Sequence, residues 1–245
     1  MTEIQPTRAS FRRYLATSNR PLPTLVRRLR RGVRSLSLPA PRFVIKPMLW
    51  VFLALRAIVH FVRRVFISEP LFKAYCKQYG KNLRTDIYVH WVQGKGDIII
   101  GDDVLVDGKS SFMFASRFVD RPVLQIGDRT HIGHGCSFVI GKRIQIGRHC
   151  LIAGGCRIFD SSGHPADAAD RHAGKPPAAA DVQEVVIGDD VWIGAHTMIF
   201  PGVTIGEGSV ISACSVVRSS VPPYSVVAGA AARVVCALPK PPAPT

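Results

Sequence analysis

Acidic residues are almost absent from the first third of the sequence. Residues 1–85 contain 18 lysines and arginines but only two acids, Glu3 and Glu69, whereas 14 bases and 15 acids share the remainder. The formal net charge of +15 therefore belongs to an N-terminal extension, and the body of the chain is close to neutral. Because the body carries no basic excess, we expect no nucleic-acid partner.

Paired cysteines and long apolar runs are also missing. The six cysteines form no C-x-x-C pair, which argues against a metal cofactor and favours reduced thiols in a cytoplasmic protein. No apolar run directly follows the basic start, so no secretory signal is predicted. The longest uninterrupted apolar run, residues 47–55, is well short of the roughly 20 residues that a membrane-spanning helix needs.

The N-terminal extension divides into two predicted segments. Residues 1–46 are basic and rich in proline, so we expect a flexible extension with at most a short helix at "LVRRLRRGVRSL" (25–36). Residues 47–85 are predicted to be helical and amphipathic, because the polar residues of 47–67 share one face of a helix. Such a helix suits the plane of an anionic membrane surface, so residues 1–67 are expected to bind a membrane; packing on the body or on a partner is the alternative. The polar residues of that face are Arg56, His60, Arg63 and Arg64.

From residue 96 onward an aliphatic residue recurs at every sixth position, most regularly between residues 185 and 217. A period of six is typical of short strands joined by tight corners, with three strands forming one triangular coil. Residues 18 positions apart then stack, for example Ile187 on Ile205 and Ile193 on Ile211. The sequence therefore predicts an all-β parallel solenoid over residues 86–236, with a loop at 159–184 and a Pro-rich tail at 237–245. The best repeats carry Ile187, Ile193, Ile199, Ile205, Ile211 and Val217.

Three stretches carry a resemblance to a known family: "GHPADAADR" (163–171), "VVIGDDVWIGAHTMIFPGVTIGEGSVISACSVV" (185–217) and "VPPYSVVAGAAARVV" (221–235). They resemble the hexapeptide-repeat acyltransferases with a left-handed parallel β-helix, and more narrowly the sugar O-acetyltransferases of the galactoside/maltose type. The resemblance implies a homotrimer, acetyl-CoA as co-substrate in a groove between subunits, a sugar hydroxyl as acceptor, and His164 as general base.

The residues themselves support a site in the 159–184 loop. The six-residue repeat is absent between residues 159 and 184, and functional residues are often found where a loop leaves a rigid scaffold. Attack of an alcohol on a thioester needs a base, and His164 lies between a glycine and a proline that would fix its position. Asp160 is a second catalytic candidate, because it could orient the imidazole; ending the strand is the alternative role.

Further candidates follow from the resemblance and from position. For CoA, the resemblance points to Trp192, Gly194, Ala195, Ser212, Ala213, Arg218 and Arg233. "GAAAR" at 229–233 departs from the Asn-Pro ending that is usual in the family. The candidate acceptor contacts are His172 in the loop, and His90 and Trp91 just before the repeats begin.

The sequence thus predicts an acetyl-CoA-dependent O-acetyltransferase. Its acceptor would be a sugar of a cell-surface polysaccharide or a lipid-linked precursor, reached at the cytoplasmic face of the membrane. Two other classes stay open: a zinc carbonic anhydrase on the same fold, which would use His131 and His134, and a non-catalytic β-helix scaffold at a membrane.

Overall fold

The computed structural model describes residues 8–115 and 117–240, and its contacts divide the chain into two units, one ending at Leu55 and one starting at Arg56. The first unit contains α1 (Arg8–Thr17) and α2 (Pro21–Ser35). Proline in the first turn suits the start of α2, because that turn has no hydrogen-bond partner for the missing N–H. The Arg27 guanidinium donates hydrogen bonds to the carbonyls of Leu15 and Ala16 at 3.1 and 3.0 Å, which satisfies the end of α1. The predicted short helix at 25–36 lies, apart from its last residue, within the longer α2, and the flexibility expected of residues 1–46 stays a prediction.

A long helical segment follows these two helices. It consists of α3 (Arg42–Arg63), a π-helical turn (Arg64–Ser68) and α4 (Glu69–Tyr75). None of the side chains of α3, which is described throughout, is buried. The segment Arg42–Tyr75 is long and apolar enough to cross a membrane, judged by length and composition alone. A membrane span is therefore compatible with this segment, as is the in-plane placement expected from the sequence.

The rest of the chain is a left-handed parallel β-helix of three sheets, as predicted. Successive strands pass from sheet to sheet, so each sheet collects every third strand over most of its length. Sheet A contains β1 (Gln78–Tyr79), β4 (Asp97–Ile100), β7 (Val123–Ile126), β10 (Arg143–Ile146), β13 (Val185–Ile187) and β16 (Thr204–Ile205). Sheet B contains β2 (Arg84–Thr85), β5 (Leu105–Val106), β8 (His131–Ile132), β11 (Leu151–Ile152), β14 (Trp192–Ile193), β17 (Val210–Ile211), β19 (Ser225–Ala228) and β20 (Arg233–Ala237). Sheet C contains β3 (Trp91–Gln93), β6 (Ser111–Phe114), β9 (Ser137–Ile140), β12 (Arg157–Phe159), β15 (Met198–Ile199) and β18 (Val216–Val217).

The register of the coils confirms the predicted stacking. Ile187 pairs with Ile205, Ile193 with Ile211 and Ile199 with Val217, and all six side chains are buried. The register holds because a slip of one residue would turn every aliphatic side chain out of the coil. Close approach of neighbouring coils also explains a glycine: a Cβ on Gly194 would lie 2.4 Å from the backbone nitrogen of Ala213.

Two boundaries differ from the sequence prediction. The first coil begins at Gln78, so the solenoid starts ahead of residue 86 and the helical segment ends at Tyr75 rather than at 85. The sequence of this coil lacks the six-residue signature, and between Gln78 and Gln93 only Leu83, Thr85 and His90 are buried. At the other end β20 runs antiparallel to β19 and covers the last coil.

Buried thiols and aromatic rings fill the interior of the coils. Cys136, Cys150 and Cys156 are buried as predicted, and the Cys150 thiol lies 3.1 Å from the Gly188 carbonyl. Burial raises the pKa of Cys150 to about 11, so this thiol stays protonated and unreactive at neutral pH. Phe112 and Phe138 stack face to face, with centroids 5.2 Å apart. These thiols are packing residues.

His90 lies inside the first coils, where its ring packs between Phe72 of α4 and Phe112 at centroid distances of 4.6 and 5.8 Å. Only 4% of the residue is exposed, so the expectation that His90 contacts an acceptor is corrected: a ring enclosed by the coil cannot reach a substrate in solvent. Burial lowers the pKa of His90 from the ordinary value of 6.5 to about 4.

This burial predicts an acid-sensitive contribution to stability. Between pH 6.5 and about 4 the unfolded chain binds a proton at His90 that the folded chain does not, so stability falls as the pH decreases through this window. The expected loss is about 3 kcal/mol relative to a variant without the imidazole. Urea unfolding of the wild type and His90→Leu at pH 7 and near pH 4 measures it. Equal losses in both proteins would contradict the assignment, and His149→Asn, at an exposed corner, is the matched control.

Candidate active site around the loop after strand β12

The loop between β12 and β13 leaves and rejoins the β-helix at one place. The backbone N–H of Gln183 donates to the Asp160 carbonyl at 2.9 Å, which ties the two ends of the loop together. Between these ends lie α5 (Ala168–His172) and a 3-10 turn (Ala179–Asp181). Residues at either end of the loop are therefore brought side by side, although more than 20 positions separate them.

Asp160 is the buried residue at the base of this loop. Its side chain is fully buried, and its carboxylate accepts hydrogen bonds from the backbone N–H groups of Gly141, Lys142 and Arg143 at 2.5, 2.7 and 2.7 Å. Burial raises the pKa of Asp160, and these hydrogen bonds oppose that rise. Because both oxygens are used to close the corner between β9 and β10, the structure favours the strand-end role over orientation of the imidazole.

His164 is exposed in a tight turn of the loop, four residues after Asp160. Gly163 has a φ of +79°, a left-handed conformation that favours glycine, and its N–H donates to the Ser161 hydroxyl at 3.2 Å. The Ser162 hydroxyl donates to the His164 carbonyl at 3.0 Å, and Pro165 is buried behind it. The backbone of His164 is therefore fixed from both sides while its ring remains accessible.

The ring of His164 lines an open cavity of about 440 Å³. Ser162, Ala166, Asp181, Gln183 and Pro201 complete the lining. Asp181 and Gln183 were not predicted from the sequence. The one signal in the sequence was that the six-residue repeat resumes at Val185. The residues just before Val185 must therefore return to the place where the loop left the β-helix.

Hydrogen bonds hold Gln183 in place at the cavity. Its carbonyl accepts from the Gly202 N–H at 3.1 Å, and its side-chain amide donates to the Ala180 carbonyl at 2.9 Å. Asp181 is exposed, and its N–H donates to the Ala178 carbonyl. The cavity thus offers a base, a free-standing carboxylate and an oriented carboxamide, a set suited to a ligand with several hydroxyl groups.

Helix α5 is fixed to the His164 side of the loop. Asp167 caps it by accepting from the Asp170 N–H at 2.9 Å, and Arg171 donates to the carbonyls of Pro165 and Ala166 at 3.1 and 2.6 Å. His172 is exposed at the end of this helix and does not belong to the residues that line the cavity. Arg171 is a positioning residue that sequence reasoning missed.

Four of the residues named for CoA come together on neighbouring coils. Gly194 and Ala195 follow β14, and Ser212 and Ala213 follow β17 directly beside it, with the Cys214 N–H donating to the Ala195 carbonyl at 2.8 Å. Trp192 lies at the start of the same edge, 51% exposed and paired in register with the exposed Leu151. Trp192, Leu151 and Ala213 are exposed along this edge of sheet B, Ala195 and Ser212 are half-buried, and Gly194 is buried between the coils.

The remaining candidates lie elsewhere. The Arg218 guanidinium stacks 4.1 Å over the ring of Phe200, which packs at 4.7 Å on Phe159 at the start of the loop. Arg233 lies on β20, where its guanidinium donates to the Ala232 carbonyl. Trp91 is 66% exposed on β3, three strands from β12 in sheet C and therefore roughly 14 Å away. Trp91 and Arg233 are thus not brought to the cavity of His164.

Two histidines on the β-helix surface, His131 and His134, contact neighbouring side chains. His131 lies 2.9 Å from a carboxylate oxygen of Asp107, and the ring of His134 packs edge-on against Tyr88. Within residues 8–115 and 117–240, no group of three or more His, Cys, Asp or Glu is placed to hold a metal ion. The cavity lining contains no cysteine either.

Comparisons with known proteins agree with the repeat and the fold. The family described as bacterial transferase hexapeptide (six repeats) matches residues 184–219. The galactoside O-acetyltransferase of Escherichia coli is 32% identical over 136 residues, which are 56% of this chain and 62% of that protein. The chain spans 55–62% of the length of the curated relatives it matches.

Solved structures extend the likeness over most of the chain. The hexapeptide-repeat containing acetyltransferase VCA0836 of Vibrio cholerae has a TM-score of 0.50 and 26% identity, covering 76% of this chain and 90% of that one. AntD, an N-acyltransferase from Bacillus cereus solved with dTDP and 3-hydroxybutyryl-CoA, has a TM-score of 0.56 and 23% identity, covering 70% and 88%. By its repeats and its coils the chain is a left-handed β-helix with hexapeptide repeats, and over 56% of its length it is similar to a galactoside O-acetyltransferase.

Proposed function

We propose that this protein is an acyltransferase that moves an acetyl group from acetyl-CoA to a sugar hydroxyl. The observation that carries the proposal is the fixed elbow of His164 beside an open cavity that also holds Asp181 and Gln183. The likeness to galactoside O-acetyltransferase supports a sugar acceptor, and the likeness to the Vibrio cholerae acetyltransferase supports the reaction type.

The proposed reaction needs no covalent enzyme intermediate, because the thioester is already activated. The imidazole of His164 takes the proton of the acceptor hydroxyl while its oxygen forms a bond to the thioester carbonyl carbon. The tetrahedral intermediate then collapses, the carbon–sulfur bond breaks, and the CoA thiolate receives the proton from the imidazolium. Backbone N–H groups of the coil wall are the proposed donors to the oxyanion.

We propose that acetyl-CoA binds along the strip of Trp192, Gly194, Ala195, Ser212 and Ala213, in a groove shared with a second subunit of a homotrimer. The strip lies on sheet B, whereas the loop with His164 leaves from sheet C. The exposure of Trp192 and Leu151, at 51 and 44%, supports an apolar contact on this face. Arg218 and Arg233 are proposed phosphate contacts, since both are exposed cations.

The proposed acceptor is a sugar of a cell-surface polysaccharide or its lipid-linked precursor. The carboxylate of Asp181 and the carboxamide of Gln183 line one cavity, which suits a ligand that presents several hydroxyl groups. The proposed place of reaction is the cytoplasmic face of the membrane, where acetyl-CoA and lipid-linked sugars are both accessible. His172, exposed at the end of α5, is proposed to touch the more distant part of such an acceptor.

Transfer of label from radiolabelled acetyl-CoA to hexopyranosides and to cell-envelope glycans tests the proposal. Asp181→Asn is expected to raise the KM for the acceptor by about tenfold and to leave the KM for acetyl-CoA unchanged, because a hydrogen bond to a charged group is lost. Asp170→Asn is the matched control, since Asp170 is in the same loop but pairs with Lys175 at 2.7 Å.

The outcomes separate the alternatives. Label on an amine rather than a hydroxyl would overturn the acceptor class. A change in the KM for acetyl-CoA in Asp181→Asn would overturn the place given to the acceptor. Calorimetry that detects no binding of acetyl-CoA, together with no transfer, would favour the scaffold.

A further inference from the structure

Helix α2 has two opposite faces. Leu22, Leu25, Leu29 and Val33 follow one another at intervals of three or four residues, and all are between 55 and 73% exposed. At 100° per residue these four side chains fall within one apolar stripe. The arginines of the helix project around the opposite side. Arg28, Arg30, Arg31 and Arg34 are exposed there, whereas Arg27 hydrogen-bonds the end of α1.

We propose that α2 is a surface-binding helix for an anionic lipid bilayer. The helix would lie in the membrane plane, with the leucine stripe among the acyl chains and the arginines among the lipid phosphates. This proposal is independent of the acetyl-transfer proposal, because it concerns the first unit of the chain.

Charge complementarity identifies the partner. Residues 4–68 contain neither Asp nor Glu, so no carboxylate of that stretch neutralises the arginines of α2. A helix with a strong cationic face and an apolar face matches a surface that is anionic outside and apolar beneath. Each Lys or Arg near such a surface strengthens binding substantially, and the effect falls off within a Debye length.

The contacts of α2 within its own unit leave this stripe accessible. Helix α1 meets α2 at Arg27, which hydrogen-bonds the end of α1, and at the cavity lined by Phe11, Leu15 and Val26. Leu25, Leu29 and Val33 remain 55, 61 and 73% exposed. A nucleic acid would contact the arginines but would leave the leucine stripe in water. A bilayer contacts both faces of α2, so we favour the bilayer as the partner.

The test compares two double variants of the full chain that change the faces separately. Arg28→Gln/Arg31→Gln removes charge, Leu25→Gln/Leu29→Gln removes apolar surface, and all four positions are exposed on a helix that glutamine suits. Lys95→Gln/Arg117→Gln, two exposed cations of the β-helix, is the matched control. Cosedimentation is measured with phosphatidylcholine vesicles, with and without phosphatidylglycerol, at low and high salt.

Removal of the two arginines is expected to lower binding to the phosphatidylglycerol vesicles by about tenfold or more and to weaken its salt dependence. Removal of the two leucines is expected to lower binding by about tenfold through lost apolar burial. The control pair should bind vesicles like the wild type. All proteins should acetylate a soluble acceptor at the same rate. Because transfer and vesicle binding are measured separately, a failure of one is distinguished from a failure of the other.

Two results would overturn the proposal. The first is wild-type vesicle binding by both α2 variants, whether or not their sedimentation mass changes; a changed mass would identify the leucine stripe as a contact between copies of the chain. The second is a loss of RNA or DNA binding in Arg28→Gln/Arg31→Gln while vesicle binding stays unchanged, which would make the arginine face a nucleic-acid site.

Discussion

Replacing His164 by alanine is expected to lower kcat/KM for acetyl transfer by about 10²- to 10⁴-fold, the range that a positioned general base contributes. The ring is exposed at the cavity, and the residue is held through its backbone by Ser162 rather than through the imidazole. Removal of the ring should therefore leave the loop in place. The free energy of unfolding and the affinity for acetyl-CoA are expected to stay within the error of the wild type.

The control for His164→Ala is His149→Asn. His149 lies at an exposed corner with a φ of +56°, a conformation that asparagine tolerates, and its ring faces Asp190 at 3.5 Å. This variant should keep wild-type kcat and KM. An activity of His164→Ala within about threefold of the wild type would show that the base lies elsewhere.

Replacing Asp160 by alanine is expected to destabilise the fold by about 3 kcal/mol, because three backbone N–H groups lose their acceptor inside the structure. For a chain of this size the melting temperature should fall by roughly 6–12 °C. Thermal and urea unfolding at one protein concentration measure both quantities. Asp160→Asn should recover only part of the loss, since an amide nitrogen cannot accept from these donors.

Catalysis separates the two roles considered for Asp160. A residue that orients the imidazole would lower kcat with no loss of stability, whereas the corner role lowers stability and leaves kcat, measured well below the melting temperature, within about tenfold. Asp167→Ala is the matched control: it removes the exposed cap of α5 in the same loop and should cost about 1 kcal/mol or less.

The β-helix could be predicted from the sequence because its constraint is local and repeated. Each coil must place an aliphatic side chain inward at every sixth position, so pairs such as Ile187 and Ile205 were identifiable without coordinates. The first coil, from Gln78, was missed because it is covered by α4, and Phe72 and His90 supply packing that the repeat supplies elsewhere. A cap of that kind has no six-residue signature.

The candidate site was predictable only in part. The Gly-His-Pro elbow is continuous in sequence, so His164 could be named directly. The partners of Asp160 lie 17–19 residues earlier, and Asp181 and Gln183 reach the cavity only because the loop closes on itself. Such contacts depend on tertiary structure, and no local pattern encodes them.

A single-turnover experiment tests the central claim most directly. Radiolabelled acetyl-CoA is bound to an excess of the wild type or of His164→Ala, mixed with the sugar acceptor, and quenched over time. The wild type is expected to pass the label straight to an acceptor hydroxyl, with none on the protein, while the label stays on CoA in His164→Ala. Label that reaches the acceptor at the same rate in both proteins, or that first accumulates on the wild-type protein, would contradict direct transfer with His164 as the base.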